Sequence, residues 1–515
     1  MIRSRVFPML LALLLVVGAC SVHSLDDDRA VLVDQSGNVV APGAGAVPPD
    51  ETIDPATTSD GGAGGDVTGT SAGSTTGGPG AGTVATTPGD APPRAPSVNP
   101  STPEDEVRVA SDQGVFPDEI HLGILNTDDG FYQAQGVDTK PFAEVVAPFI
   151  AEINANGGIN GRKVVPKYSS YNPLDASSMN AACVEQAEDH KVFSSIAQIG
   201  YYGDAEICMA TKSIPLLTGN NSTHKTNVER ERGWVRQTNQ NKDRNIKNWI
   251  DWMISSGLLT PSIKTGLIYV DVPEDRDLIY EVVLPYMDSL GLPEPEIATL
   301  SSNIAQTPAE TQSAVLRFSS ENVALVLPFI SFLRILIFAE QASASNYFPE
   351  YSVSDFGLLS TDAMAGMPPA QWEGVKGITV LPTGLAEPGD LPPGPAFAEC
   401  NRVYEQYGQT LAPHPDDPER KEGVEVAQMM HYCQHIALWA DVALRAGTNP
   451  TRQTLLSAFD RTGTWNHRVT LSERLTYAPD KYDGADLFSV VRWESNCTSD
   501  GGCYRQVEGF RAGRW

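Results

Sequence analysis

The sequence predicts an α/β protein made of two Rossmann-like halves, each built on a parallel sheet. Three observations carry this. Glu119–Tyr171 reads as strand, helix, strand; the same alternation continues through Thr218; and a second series of strands and helices starts at Thr265. Parallel strands need a crossover, and a helix is the usual one, so alternating strands and helices specify a parallel sheet.

EIHLGILN (119–126) is a short apolar run with polar flanks and reads as a buried strand. Phe142, Val145, Val146, Phe149, Ile150 and Ile153 recur at helical spacing. Pro141 suits the first turn of that helix, and Asn156, Gly157 and Gly158 stop it before a strand over 163–168. The pattern then predicts a helix over 174–189, a strand over 192–199, a helix over 202–212 and a strand over 214–218. WVRQT (234–238) leads to a helix over 241–255. In the second half, strands are expected at 265–270, 297–300, 323–329 and 356–360, and helices at 277–290, 309–319 and 331–344. A long helix covers 424–446, and the stretch from Asn496 to Trp515 reads only as a polar, cysteine-closed tail.

INANGGINGRKV, between the first helix and the second strand, resembles a turn of the type I periplasmic solute-binding proteins. These are the substrate-binding components of branched-chain amino acid and amide ABC transporters. KVFSSIAQIG followed by IPLLTG, GVKGITVLP (374–382) and the late helix ending in Ala-Gly extend the similarity over about residues 118–490. The turn has a purely structural role, a tight connection made by glycine and asparagine. The resemblance implies two lobes joined by a three-strand hinge, with crossings near Thr238, Leu381 and Gly463. The lobes would be 118–237 plus 379–462 and 238–378 plus 463–515. It also implies a small-molecule ligand and an ABC permease as partners, no enzymatic step and no cofactor. A ligand sensor for a membrane receptor, on the same fold, and a hydrolase on an α/β scaffold are the alternatives.

The N-terminus points outside the cytoplasm. Arg3 and Arg5 precede an apolar run from Val6 to Val17, then Gly18, Ala19 and Cys20, which is a secretory signal too short for a membrane span. VGAC resembles a lipobox, implying cleavage before Cys20 and a lipid on its sulfur, hence an extracytoplasmic protein anchored to the cell membrane. Residues 21–117 are expected to be a disordered tether. Its 36–106 core is Gly, Ala, Thr, Pro, Ser and Asp, too polar to offset ordering entropy. About 70 such residues reach roughly 45 Å. GTSAG (69–73) matches a serine-hydrolase elbow, but that motif needs a strand before it and a helix after. A net charge of −28 disfavours nucleic acid and suits a secreted monomer.

Six cysteines remain after Cys20, and disulfides persist in exported proteins. Cys183 with Cys208, Cys400 with Cys433 and Cys497 with Cys503 are the expected pairs, out of 15 connectivities that six cysteines allow. His431 and His435 in HYCQH lie one helical turn apart, as zinc ligands can, but no glutamate completes HExxH and no metal site is expected.

In open α/β sheets ligands bind at the carboxyl ends of the strands. That rule selects Thr127, Asp128 and Phe131 after the first strand, and Tyr201 and Tyr202 after the third. It selects Asn220 and Asn221 after the fourth, and Asp271, Glu274, Phe329, Ser331, Thr361 and Asp362 from the second lobe. Aromatic rings supply apolar contact, while amides, hydroxyls and acids fix a small polar ligand. The same polar residues are also natural helix caps. GYYGD (200–204) stands where amino-acid binders of this family carry small hydroxyl residues. The tyrosine pair with Asp204 therefore argues against a plain α-amino acid.

Overall fold

The computed structural model describes residues 107–134, 140–173, 175–197, 201, 203–355, 367–381, 395–414, 417–421, 423–496 and 502–513. All belong to one compact unit, Ser101–Trp515. The signal segment, the tether as far as residue 106, Cys20, Tyr202, Thr361, Asp362 and Cys497 lie outside the described residues. The last stretch expected in the tether, 107–117, is instead packed on the domain, with Val115 buried and Val109 N donating to Asn449 Oδ1.

The first sheet has five parallel strands in the order β2-β1-β3-β4-β5. They are β1 (Glu119–Thr127), β2 (Lys163–Tyr171), β3 (Ser194–Ala197), β4 (Leu216–Thr218) and β5 (Val235–Gln237). Helix α1 (Asp129–Ala134) follows β1, and α2 (Phe142–Ala155) crosses to β2. Its buried residues Phe142, Val145, Val146, Phe149 and Ile150 are the predicted stripe. The turn after α2 needs glycine. Gly158 has φ of 67°, and a Cβ there would collide with the Arg162 carbonyl. Arg162, buried in turn, donates to the carbonyls of Phe116, Val109 and Thr448 and pins the turn to the start of the domain.

Helix α3 (Ala176–Val184) runs into a π-helical turn (Glu185–Asp189), and α4 (Asp204–Thr211) joins β3 to β4. After β4 a second π-turn (Thr226–Arg230) precedes β5, and α5 (Lys242–Ser255) leads to the second sheet. That sheet has seven strands in the order β16-β15-β10-β9-β8-β6-β7. Its parallel part is β6 (Thr265–Val270), β7 (Glu296–Leu300), β8 (Leu325–Phe329), β9 (Glu350–Val353) and β10 (Lys376–Thr379). The connecting helices are α6 (Pro273–Asp277), continued by a π-turn into α7 (Leu284–Ser289), then α8 (Thr307–Ser320), α9 (Phe332–Ala344) and α10 (Pro369–Trp372).

Two differences from the sequence reading appear here. The strand expected at 356–360 falls on residues outside the description, and the strand pairing with both β8 and β10 is Glu350–Val353. Its tyrosine and serine are inward-facing and satisfied, Tyr351 through Gln371 and Ser352 through the Lys376 carbonyl, so polar letters concealed a core strand. The polar tail is also partly sheet. Cys503–Ala512 forms β16, antiparallel to β15 (Leu487–Glu494), which itself pairs antiparallel with β10.

Between β10 and β15 the chain returns to the first sheet as α11 (Pro395–Gln406), a short hairpin of β11 (Pro413–His414) and β12 (Asp417–Lys421), α12 (Gly423–Arg445) and α13 (Arg452–Asp460). A hairpin of β13 (Gly463–Trp465) and β14 (Leu475–Tyr477) follows. The chain thus passes between the two sheets three times. The passages are tied to one another: Tyr477 donates to the Gln237 carbonyl at 2.8 Å, and Asp483 pairs with Arg244 at 2.5 Å. Disulfides join Cys183 to Cys208 and Cys400 to Cys433, as expected, and Cys503 is disulfide-bonded as well.

Candidate functional site

Side chains alternate across a strand, so the residues at the carboxyl edge of the first sheet divide between its two helix layers. Leu125, Ala197, Leu216 and Val235 pack with Met179, Ala205 and Met209, in the layer of α3 and α4. Ile124, Ile196 and Leu217 pack with Trp439 and Leu455, in the layer of α12 and α13. By parity Thr127, Thr218 and Gln237 close the first layer, while Asn126 and Thr238 close the second.

On the α4 side the loops after β3 and β4 build a buried acidic knot. Ser222 Oγ lies 3.3 Å from Glu206 Oε2 and 3.0 Å from Glu231 Oε1. Both glutamates are fully buried. One hydroxyl has one proton, so it donates to one carboxylate and accepts from the other only when that one is protonated. Burial pushes Glu206 well above the usual carboxylate range, helped by the charges of Glu231 and Glu274. Burial also raises Glu231, to about 7, against the lowering effect of hydrogen bonds from Asn227 and Ser222. The π-turn sets this geometry, because Glu231 N reaches the Thr226 carbonyl at 3.0 Å and Asn227 and Glu231 then share a side.

The knot continues into the second lobe. Thr223 N donates to Glu274 Oε1 at 3.2 Å, and Lys242 Nζ lies 3.3 Å from both Glu274 and Asp275. Lys225 pairs with Asp277 and Glu281 on the exposed rim. The loop after β4 and the loop after β6 therefore meet through charged groups.

On the α12 side, Trp439 donates to Ser194 Oγ and Tyr432 to the Leu125 carbonyl, both at 2.8 Å. Ser194 is level with Leu122 in the sheet register. Seven helical residues rise about 10.5 Å, and three strand residues about 10 Å. Helix α12 thus runs antiparallel to β1 and in step with it, which brings Gln428 level with Thr127 at the carboxyl edge. His435 Nε2 lies 2.9 Å from Thr238 Oγ1, and the rings of His431 and His435 are 5.9 Å apart. Burial pushes His431 down to about 4 and His435 well below its ordinary value, the latter also through its neighbour. Both are neutral at pH 7. Among the described residues no group of three or more His, Cys, Asp or Glu could hold a metal ion.

The residues expected from sequence separate on this frame. Asn220 and Glu274 belong to the knot; Asn220 donates to the Tyr201 carbonyl and lies 3.4 Å from Glu206. Thr127 closes the edge of β1, and Asn221 is half-buried in the loop beside Ser222. Phe131 is half-buried one turn into α1. Asp128 takes the cap role, accepting from Gly130 N at 2.7 Å, and Asp271 is bound to Arg276. Ser331 is exposed at the start of α9. Two placements are corrections. Tyr201 is wholly buried against Tyr171, its hydroxyl 3.4 Å from the Ala205 carbonyl. Phe329 packs on Trp249 in the core. In both, burying a large ring outweighs exposing it on an open wall.

Ser222 belongs to the loop expected after the fourth strand, whereas Glu206, Glu231, Lys242, Gln428 and His431 were not expected at the site. HYCQH was the one usable signal, and its helical spacing suggested metal rather than a polar wall.

No protein-family profile matches the chain, and no curated protein matches it. Solved structures do. A fatty acid ABC transporter substrate-binding protein from Thermomonospora curvata aligns with 78% of this chain and 95% of its own, at 14% identity and TM-score 0.57. A branched-chain amino acid ABC transporter protein from Thermus thermophilus with bound valine aligns with 77% and 98%, at 12% identity and TM-score 0.55. A periplasmic binding protein type 1 from Bordetella pertussis Tohama I aligns with 76% and 100%, at 14% identity and TM-score 0.55. The chain has the two-lobed type I periplasmic-binding-protein fold.

Proposed function

We propose that this protein is an extracytoplasmic solute-binding protein that captures a small molecule between its lobes and delivers it to an ABC permease. The observation that carries the reading is the concentration of buried, polar and ionisable side chains where the carboxyl-edge loops of the two sheets meet: Glu206, Ser222, Glu231, Lys242 and Glu274. Such groups are costly to bury in a scaffold that only has to fold. The proteins of similar fold are named for fatty acid transport or hold valine, so the fold is compatible with unlike ligands.

The mechanism is hinge closure. A ligand touching both lobes favours the closed state by its differential affinity, and no covalent step is required. The moving bodies are residues 118–237 with 379–462, and 238–378 with 463–515. Cys20 carries the lipid, the tether lets the binding domain range over the membrane surface, and the protein acts as a monomer. The reading is supported at the N-terminus by the basic, apolar and small-residue order that ends in VGAC. Among the described residues no helix is long and apolar enough to cross a membrane.

A thermal-shift screen against amino acids, amines, fatty acids and aromatic acids tests it. A true ligand at a hundred times its dissociation constant should add about 2.7 kcal/mol of stability. A well-folded protein that responds to nothing in such a panel would contradict solute capture.

A further inference from the structure

The solute-binding reading leaves the ligand's chemistry open, and helix α12 narrows it. Both amide atoms of Gln428 and Nδ1 of His431 are buried without a hydrogen-bond partner in the protein. Around them Tyr432 donates to the Leu125 carbonyl, the Asn126 amide donates to the Thr127 carbonyl, and His435 Nε2 reaches Thr238, while His435 Nδ1 and both amide atoms of Gln237 are likewise without a partner. Within α12 the unpartnered atoms of Gln428, His431 and His435 share one face, level with the carboxyl edge where the lobes face each other. An unsatisfied buried amide destabilises a fold, and methionine or leucine would fill the same helical position without that cost.

The wall also lacks net charge. Lys140, held at the start of α12, is paired with Glu425 at 3.0 Å, and both histidines are neutral. A carboxylate placed there would lose its hydration without gaining a cation. A hydroxyl or carbonyl would gain a donor or an acceptor from the Gln428 amide and a ring nitrogen from His431.

We propose that Gln428 and His431 recognise an uncharged hydrogen-bonding group of the ligand, a hydroxyl or a carbonyl, and disfavour a carboxylate at that point. This rests on the solute-binding reading given above.

The test is a thermal-shift comparison of matched pairs on the full chain: octanol with octanoate, benzyl alcohol with benzoate, and leucinol with leucine. The expected result is a rise in Tm for at least one alcohol and a smaller rise, or none, for its acid. Gln428→Met should raise the Tm of the unliganded protein and abolish that response, and His431→Leu should weaken it. A response to the acids that survives Gln428→Met would overturn the inference while leaving solute binding intact. A Gln428→Met protein with a lower Tm, or one that fails to fold, would overturn it too, by showing that its amide is already satisfied. Silence from all six compounds with folded wild-type protein would count against solute binding itself, and this inference would fall with it.

Discussion

Replacing Glu231 by glutamine isolates the acidic knot from the rest of the protein. Burial raises the folded-state pKa of Glu231 from 4.5 to about 7. An acid whose pKa rises on folding is held more tightly as its protonated form. Its contribution to stability is therefore greatest at low pH and is lost as pH rises from 4.5 through 7. Two and a half pH units at 1.36 kcal/mol each give a loss of roughly 3 kcal/mol. The side chain is fully buried, so solvent screening does not reduce that figure much. A carboxamide keeps the size and can still accept from Asn227, but it does not titrate. Glu231→Gln should match the wild type near pH 4.5 and exceed it by about 2–3 kcal/mol at pH 8. Removing the charge also relieves Glu206, which acts in the same direction. Asp355 is likewise raised, to about 6, and His431 is lowered to about 4, with the opposite slope. Both are present in each protein and cancel in the difference. The assay is urea unfolding of the two proteins at pH 5, 6, 7 and 8. Parallel stability curves would refute the reasoning, because they would mean that Glu231 stays charged in the fold at no cost.

Two further outcomes are expected. Removing the Cys400–Cys433 disulfide by double substitution to alanine frees a span of 33 residues and should cost about 4 kcal/mol in urea unfolding; a loss under 1 kcal/mol would mean that α11 and α12 are held by packing alone. Cys20→Ser should move the protein from the membrane to the soluble extracytoplasmic fraction. Retention in the membrane pellet would rule out a lipid on that sulfur.

Much of the fold was legible because each parallel strand is buried on both faces and writes a short apolar run. VALVLPF and IPLLT could hardly be anything else. The reading failed where that signal was absent or misplaced. EYSV became a core strand with tyrosine and serine facing inward, because Gln371 and a backbone carbonyl were available to satisfy them. No local pattern announces such partners. Strand β16 was hidden for a related reason: CYRQVEGFRA alternates poorly, and its place at the sheet edge beside β15 demands little burial. The π-turns were read as ordinary helix or loop. Their effect is a change of side-chain direction, invisible in composition.

The site was legible only as a set of loops. The rule that ligands sit at carboxyl edges pointed to Asn220 and Glu274, which the structure places in the acidic knot, yet it could not say that Glu206, Glu231 and Glu274, spread over 69 residues, converge on one serine and one lysine. Tyr201 shows the opposite error, since its backbone holds the right place while its ring turns into the lobe. The α12 wall was missed for a third reason. Gln428, His431 and His435 follow the spacing of a buried helix face, where sequence offers no distinction between a satisfied polar residue and an unsatisfied one. Only the in-step run of α12 along β1 reveals that this face ends at the cleft. Buried polar groups without partners, gathered at the edge where two lobes meet, make the unliganded protein less stable than its fold allows. A ligand that supplies the missing partners recovers that free energy only when bound, which is the differential affinity that closure requires.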